Sequence, residues 1–205
     1  MESQERQQHW DLAYADGDAQ VSWRQAEASK SLELISHIAP RADASVIDVG
    51  GGSSTLVDGL IGRRFQDITV MDVSPRGLEL AQTRLGPQAV AVQWLVADLF
   101  TWKPARQYGI WHDRAVLHFL TEAAQQQGYV GALLRAVEPG GHAIIGVFAE
   151  DGPEQCSGLE VRRYGAADLR SLLGDQFRVV SIEREEHRTP SGKIQPFNWI
   201  VAKRP

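Results

Sequence analysis

The chain has 205 residues, of which 43% are hydrophobic and 23% charged, and its formal net charge is −5. This length suits one compact domain with a full hydrophobic core, and the composition is ordinary for a soluble globular protein. No run of lysine and arginine exceeds two residues, so we expect no nucleic-acid partner. No apolar stretch approaches the roughly 20 residues that span a bilayer, so we expect no membrane partner either.

The location and the metal content are predicted from the N-terminus, the cysteine count and the histidine spacing. Residues 1–8 are polar and lack the apolar stretch of a signal peptide, which predicts a cytoplasmic location. The single cysteine, Cys156, excludes an internal disulfide and a Cys-rich zinc site. The six histidines form no His-x-x-x-His pair or His/Cys cluster, so no metal is predicted.

Taken in chain order, residues 1–40 are predicted to form two helices and a loop, the second helix ending at Pro40. From residue 42 onward, strand-like segments alternate with amphipathic helical segments, a pattern typical of a parallel sheet with right-handed crossovers. The last two strands, 177–184 and 194–202, are separated only by a turn, so one of them must run antiparallel. We predict a single domain over 1–205, with an N-terminal helical cap (1–40) and an α/β core (42–205).

The first strand of this core ends in three glycines. Asp48 lies within the strand, Gly50, Gly51 and Gly52 follow, and the apolar pairs after residue 55 recur at helical spacing. Glycines allow the backbone to approach a ligand closely, and the free N–H groups at the helix start offer hydrogen-bond donors. This strand–turn–helix unit predicts a site for a nucleotide-like cofactor.

Acidic residues near the turn indicate which cofactor it binds. Asp72 ends the second strand, 20 residues after Gly52, where a carboxylate can accept hydrogen bonds from ribose hydroxyls. Asp98 follows the third strand and could accept from an adenine amino group. A nicotinamide dinucleotide site would carry Gly-x-Gly-x-x-Gly, but Thr55 occupies the sixth place. Because carboxylates repel pyrophosphate and attract an ammonium or a sulfonium, the three acids favour a cationic cofactor.

The same residues resemble the class I S-adenosylmethionine-dependent methyltransferase family. The segment 46–52 is similar to the family's first motif, with Ser54 where a third glycine is frequent. Asp72 matches the acidic end of the second strand and Ala97–Asp98 the adenine-side motif. The segment 138–141 and the C-terminal hairpin match the turn before the fifth strand and the reversed last strand. The resemblance covers roughly residues 42–205.

The resemblance implies a fold, a cofactor and a set of binding residues. The fold would be an α/β, Rossmann-like, doubly wound sheet of seven strands in the order 3-2-1-4-5-7-6, and the cofactor S-adenosyl-L-methionine, with S-adenosyl-L-homocysteine as product. The expected cofactor-binding residues are Asp48, Gly50, Gly51, Gly52, Asp72, Val73, Asp98, Leu99 and Trp23. Trp23 is interpreted either as a lid over the cofactor or as an anchor for the following helix.

The acceptor is not identified by any motif. The Asn/Asp-Pro-Pro-Tyr/Phe signature of many DNA and RNA enzymes is absent, and the chain has no Pro-Pro. The Asp113-Arg114-x-x-Leu117 segment loosely resembles thiopurine-type thiol methyltransferases and also protein-lysine methyltransferases. We predict methylation of a small molecule by in-line displacement. A protein-lysine N-methyltransferase and a non-catalytic cofactor-binding module remain alternatives.

Candidate catalytic residues follow the fourth strand, beside the expected cofactor mouth. Asp113, with His118 or His112, could orient or deprotonate the acceptor, since histidine titrates near neutrality. His112 is the weaker candidate, because alternation along a strand can turn its side chain away from that of Asp113. An Asp113–Arg114 pair that only holds a loop in place is the structural alternative.

Overall fold

A seven-stranded sheet forms the centre of the molecule. The structure is a computed structural model that describes residues 2–19, 21–39 and 41–205, so the predicted helix end at Pro40 lies outside the described residues. The strands are β1 (Val46–Val49), β2 (Ile68–Asp72), β3 (Val92–Val96), β4 (Tyr108–Arg114), β5 (Val137–Phe148), β6 (Gln155–Cys156), β7 (Leu159–Glu160), β8 (Arg178–Arg188) and β9 (Ile194–Lys203).

The strand order of the main sheet is β3-β2-β1-β4-β5-β9-β8. The two-residue strands β6 and β7 form a separate hairpin, so β8 and β9 are the sixth and seventh strands of the sheet. β9 runs antiparallel to both of its neighbours. The predicted fold class, strand order and reversed last strand are therefore confirmed.

Helices cover both faces of the sheet. They are α1 (Ser3–Ala13), α2 (Ser29–Ile38), α3 (Leu56–Gly62), α4 (Pro75–Leu85), α5 (Ala123–Ala136) and α6 (Ala166–Leu173). Apolar residues of α2, α3 and α4 form one core with one face of the sheet, and those of α5 and α6 form a second core with the other. Among the described helices, none combines the length and the apolar character needed to cross a membrane.

Side-chain alternation along β4 decides what each of its residues contacts. Ile110 belongs to the core beneath α2, whereas Trp111 belongs to the core beneath α5. Since successive side chains of a strand point to opposite faces, His112 and Arg114 lie on the α2 side and Asp113 on the α5 side. This alternation separates residues that are adjacent in sequence.

Some element boundaries differ from those expected. The sequence pattern predicts a third strand from Val90 to Val96, but the strand begins at Val92, because a 3₁₀ turn occupies Gly86–Ala91. The sequence also predicts that Thr121 caps α5, but Glu122 takes the N-cap position, and its N–H donates to Gln125 Oε1 at 3.2 Å. At α4 the predicted cap is Ser74, and this is confirmed, since its hydroxyl accepts a hydrogen bond from the Gly77 N–H at 3.0 Å.

Candidate functional site

The glycine turn after β1 is shaped by positive backbone angles and close neighbours. Gly50 and Gly52 have φ values of +67° and +44°, a region that favours glycine. The Gly50 N–H donates to the Met71 carbonyl at 2.7 Å, which ties the turn to the end of β2. A Cβ at Gly50 would overlap the Val116 side chain, and one at Gly52 would overlap the Tyr14 hydroxyl. The turn thus requires glycine at both positions.

A cavity of about 130 Å³ opens beside this turn, at the carboxyl ends of β1 to β4. In open α/β sheets, ligands bind at this edge. Its walls are mostly apolar, with a few charged groups. They are formed by Arg6, Trp10, Tyr14, Trp23, Val49, Gly50, Met71, Asp72, Val73, Ala97, Asp98, Leu99, Phe100, Arg114, Ala115, Val116, Phe119, Leu120 and Cys156.

Asp72 is a buried carboxylate in the wall of the cavity. Its Oδ1 accepts a hydrogen bond from the Ser74 N–H at 2.8 Å. Burial raises the pKa of Asp72 to about 7, and the nearby charge of Asp48 acts in the same direction. A buried carboxylate has lost its hydrating water, and ligand hydroxyl groups can replace those hydrogen bonds.

Asp98 forms the second acidic wall and is paired with the N-terminal helix. Arg6 Nη2 on α1 donates to Asp98 Oδ2 at 2.5 Å, and its guanidinium lies 4.6 Å from the centre of the Phe100 ring. Burial alone would raise the pKa of Asp98, but the hydrogen bonds from Arg6 outweigh this and hold it below its usual value. Asp98 is therefore ionised at neutral pH, and its carboxylate is already hydrogen-bonded to Arg6.

Aromatic side chains from the N-terminal segment cover the cavity. Trp10 and Trp23 meet edge to face with ring centres 5.8 Å apart, and Tyr14 and Trp23 do so at 6.0 Å. Asp11 accepts a hydrogen bond from the Ser74 hydroxyl at 2.6 Å, which attaches α1 to the start of α4. No residue within α1 is buried, so polar contacts and the aromatic cluster hold this helix in place.

Replacing Arg6 should loosen α1. We expect Arg6→Gln to increase the rate of chymotryptic cleavage at Trp10 and Tyr14 about tenfold. A charge-assisted hydrogen bond contributes about 1.5–3 kcal/mol, and its loss makes local unfolding of α1 easier by a similar amount. Arg76→Gln is the matched control, because the ion pair of Arg76 with Glu79 is solvent-exposed. Equal cleavage rates in wild type and Arg6→Gln would contradict this role for the Arg6–Asp98 pair.

Asp48 does not line the cavity. Its Oδ1 lies 2.7 Å from His112 Nδ1, and His112 Nε2 lies 2.9 Å from the Ser31 hydroxyl, so the three groups join β1, β4 and α2. Gly51 contributes space for this arrangement, because a Cβ there would come within 2.7 Å of Asp48 Oδ2. Asp48, Gly51 and His112 therefore lie in the core. The sequence pattern instead predicts that Asp48 and Gly51 bind the cofactor and that His112 acts on the acceptor.

Asp113 is fully buried on the opposite face of the sheet. It accepts hydrogen bonds from the N–H groups of Val116 at 2.8 Å and Leu117 at 3.1 Å, and from the Tyr129 hydroxyl at 2.6 Å. Burial raises the pKa of Asp113 to about 6, although these hydrogen bonds lower it. The carboxylate thereby fixes the loop after β4, which includes the cavity-lining Val116, but Asp113 itself does not line the cavity.

His118 does not line the cavity either, although it packs against Phe119, which does. Its ring packs against Phe119 and Phe148, each with ring centres 4.5 Å apart, and neither ring nitrogen has a hydrogen-bond partner among the described residues. Burial lowers its pKa to about 3, helped by the charge of Arg114, so the imidazole is neutral. The expected catalytic cluster of His112, Asp113 and His118 does not converge, because each side chain enters a different packed environment.

Six of the nine residues expected to bind the cofactor do lie in the cavity wall, namely Trp23, Gly50, Asp72, Val73, Asp98 and Leu99. The structure adds Arg6, Trp10 and Tyr14, which the sequence interpretation did not include. These three are spaced four residues apart and therefore share one face of α1. That spacing is the signal that could have identified them. The described residues contain no group of three or more His, Cys, Asp or Glu that could hold a metal ion.

Comparisons with known proteins agree with this architecture. Residues 46–141 match the family model described as a methyltransferase domain. Nodulation protein S of Rhizobium tropici is 28% identical over 153 residues, 75% of this chain, and the match spans 61% of that relative's length.

Two solved structures show the same fold. One, from a study of the conversion of a disulfide bond into a thioacetal group during echinomycin biosynthesis, has a TM-score of 0.76 at 18% identity and covers 97% of this chain and 92% of its own. The other, 1,6-didemethyltoxoflavin-N1-methyltransferase from Burkholderia thailandensis with bound 1,6-didemethyltoxoflavin and S-adenosylhomocysteine, has a TM-score of 0.69 at 20% identity and covers 87% and 79%.

The fold and the acid-flanked cavity have the arrangement that the methyltransferase resemblance implied, since the glycine turn, Asp72 and the reversed last strand occupy the expected places. Together with the match of residues 46–141 to the methyltransferase-domain model, these features make the chain similar to the class I S-adenosylmethionine-dependent methyltransferases.

Proposed function

We propose that this chain transfers the methyl group of S-adenosyl-L-methionine to a small molecule. The observation that carries the proposal is the cavity itself, which begins at the glycine turn, passes the Asp72 carboxylate and is covered by α1 and Trp23. It also supports the prediction of a single domain, since residues from both the N-terminal helices and the core line it. A cytoplasmic location stays a prediction.

The residues present fit the cofactor. The backbone turns at Gly50 directly beside the cavity, and Asp72 offers a buried carboxylate to ribose hydroxyls. Asp98, with Leu99 and Phe100 beside it, would hold the adenine side, sharing its carboxylate with Arg6. When bound, the cofactor supplies a methyl group on a positively charged sulfur.

The contribution of the protein to the reaction is positioning and the exclusion of water. Trp10, Tyr14 and Trp23 cover the cavity, and alignment of two reactants can supply about 7–11 kcal/mol of the barrier. Among the described residues that line the cavity, none is a histidine. We therefore propose that the acceptor presents its own lone pair and loses any proton to solvent, without a general base at the site.

The alternatives receive less support. A lysine methyltransferase should have an open and acidic acceptor site, whereas this cavity is covered by aromatic side chains and carries Arg114. Methyl transfer to any acceptor would exclude a module that only binds the cofactor. The similar structure from Burkholderia thailandensis holds 1,6-didemethyltoxoflavin, which supports a small-molecule acceptor here.

The proposal is tested by calorimetry and by methyl transfer. We expect S-adenosylhomocysteine to bind and nicotinamide dinucleotides to bind negligibly. Protein incubated with labelled S-adenosylmethionine should then label members of a panel of small amines, thiols, phenols and carboxylic acids. Tight binding of NAD with no response to S-adenosylhomocysteine would refute the proposal, and transfer only to lysine side chains of peptides would favour the alternative enzyme.

A further inference from the structure

The cavity wall contains an arginine that uses only part of its hydrogen-bonding capacity. Arg114 ends β4 and lines the cavity. Its Nη1 donates to the Trp23 carbonyl at 3.0 Å, and its guanidinium lies 4.6 Å from the centre of the Phe197 ring. Nε and Nη2 are buried and have no hydrogen-bond partner among the residues that the structure describes. Buried donors without partners are costly, so a native arginine in this condition requires an explanation.

No acidic side chain in the described part of the chain forms an ion pair with Arg114. The nearby carboxylate of Glu185 accepts hydrogen bonds from Trp199 Nε1 at 2.8 Å and from Gln25 Nε2 at 3.3 Å. Burial lowers the pKa of His187 and raises that of the Cys156 thiol, so both neighbours are neutral at pH 7. Burial lowers the pKa of Arg114, and the charges of Glu185 and Asp48 oppose this only from a distance, without an ion-pair contact.

The two unpaired nitrogens have a geometry that selects the ligand. Nε and Nη2 form one edge of the planar guanidinium and present two parallel N–H donors, which match the two oxygens of a carboxylate. An anion that binds as a single point charge would not require two parallel donors. Around it, the cavity is lined by apolar and aromatic residues such as Phe119, Val116 and Trp23. This combination suits a flat, largely apolar molecule that carries one anionic group.

The position of Arg114 indicates that this anion belongs to the acceptor rather than to the cofactor. Asp72 and Asp98 lie at the ends of β2 and β3, on one side of the glycine turn. The Arg114 guanidinium extends to Phe197 on β9, on the far side of β4 and β5. The cofactor is expected beside the acids, so the arginine lies on the side of the glycine turn that is left for the acceptor.

We propose that Arg114 binds a carboxylate, or a similar planar anion, of the methyl acceptor, so that the substrates of this chain are small aromatic or apolar acids. This proposal rests on the proposed function, because the acceptor is defined relative to the bound cofactor. The two donors are covered by their neighbours, so binding would also shift the adjacent Trp23 loop or the short β6–β7 hairpin that carries Cys156.

The test uses benzoate and benzamide as probes on the full chain saturated with S-adenosylhomocysteine. Wild type should bind benzoate at least about tenfold more tightly than benzamide, the effect of a charge-assisted hydrogen-bond pair. Arg114→Gln should abolish this preference and change S-adenosylhomocysteine affinity less than about threefold. Arg163→Gln is the control, since Arg163 pairs with Glu154 on the surface and should leave both affinities unchanged.

The outcomes distinguish an anion of the acceptor from the carboxylate of the cofactor. A tenfold or greater loss of S-adenosylhomocysteine affinity in Arg114→Gln would assign Arg114 to the cofactor carboxylate and overturn the proposal. Equal binding of benzoate and benzamide by wild type would also overturn it, even if the variant fails to fold. If S-adenosylhomocysteine itself does not bind, the proposed function fails, whereas a missing benzoate preference with normal cofactor binding contradicts only the acceptor assignment.

Discussion

Asp72→Asn is expected to weaken binding of S-adenosylhomocysteine by about tenfold to a hundredfold, because charge-assisted hydrogen bonds contribute about 1.5–3 kcal/mol. Asn keeps the shape of the side chain and an oxygen that can accept the 2.8 Å hydrogen bond from Ser74. The change therefore removes the charge while leaving the turn intact. Calorimetry at pH 8 provides the measurement. Unchanged affinity would mean that Asp72 does not contact the ribose.

The same variant has a distinct pH signature. Burial raises the pKa of Asp72 to about 7, above the unfolded value of 3.8, so folding disfavours its ionised form. The stability of the protein without ligand should then fall as the pH rises from about 4 to about 7. Asp72→Asn removes this pH-dependent loss of stability. The melting temperature of the variant minus that of wild type should therefore be larger at pH 8 than at pH 5. Asp151→Asn, at a solvent-exposed site, should show no such difference.

Asp113→Ala is expected to lower the melting temperature by about 10 °C. The change leaves the Tyr129 hydroxyl and the N–H groups of Val116 and Leu117 without their acceptor. Unsatisfied buried groups cost about 1–3 kcal/mol each, and about 1 kcal/mol shifts the melting temperature by about 2–4 °C in a domain of this size. Thermal unfolding followed by circular dichroism measures the shift.

A comparison of two variants distinguishes this structural role from the catalytic role expected from the sequence. Asp151→Ala removes an exposed carboxylate and should shift the melting temperature by less than about 2 °C, as surface substitutions usually cost less than about 0.5 kcal/mol. A normal melting temperature for Asp113→Ala with a large loss of turnover would restore the catalytic hypothesis.

The fold was predictable because its determinants are local. Ser74 and Pro75 start α4 through backbone chemistry that acts within one turn. The segment 189–192 joins two strands without room for a helix, which forces the antiparallel pairing of β8 and β9. Boundaries were less certain, as at Thr121, because neighbouring residues can compete for the same cap position.

The cofactor side of the cavity was predictable for a related reason. Gly50, Asp72 and Asp98 each lie at the end of a parallel strand or just after it, and the carboxyl ends of such strands meet at one edge of the sheet. Asp48 lies within its strand instead, and its side chain turns towards α2. The acid that looked most informative about the cofactor charge is therefore bonded to His112 in the core.

By itself, the sequence determined the α/β class, the strand order through its family resemblance, and the acidic glycine turn. Only the tertiary structure decided that Arg6 reaches Asp98, 92 residues away in sequence, and that Arg114 keeps two unpaired donors. The physical reason is that periodicity and turn chemistry depend on neighbours along the chain. Hydrogen-bond partners of buried polar groups depend on which side chains packing brings together, and alternation along β4 placed Asp113 and Arg114 on opposite faces of the sheet.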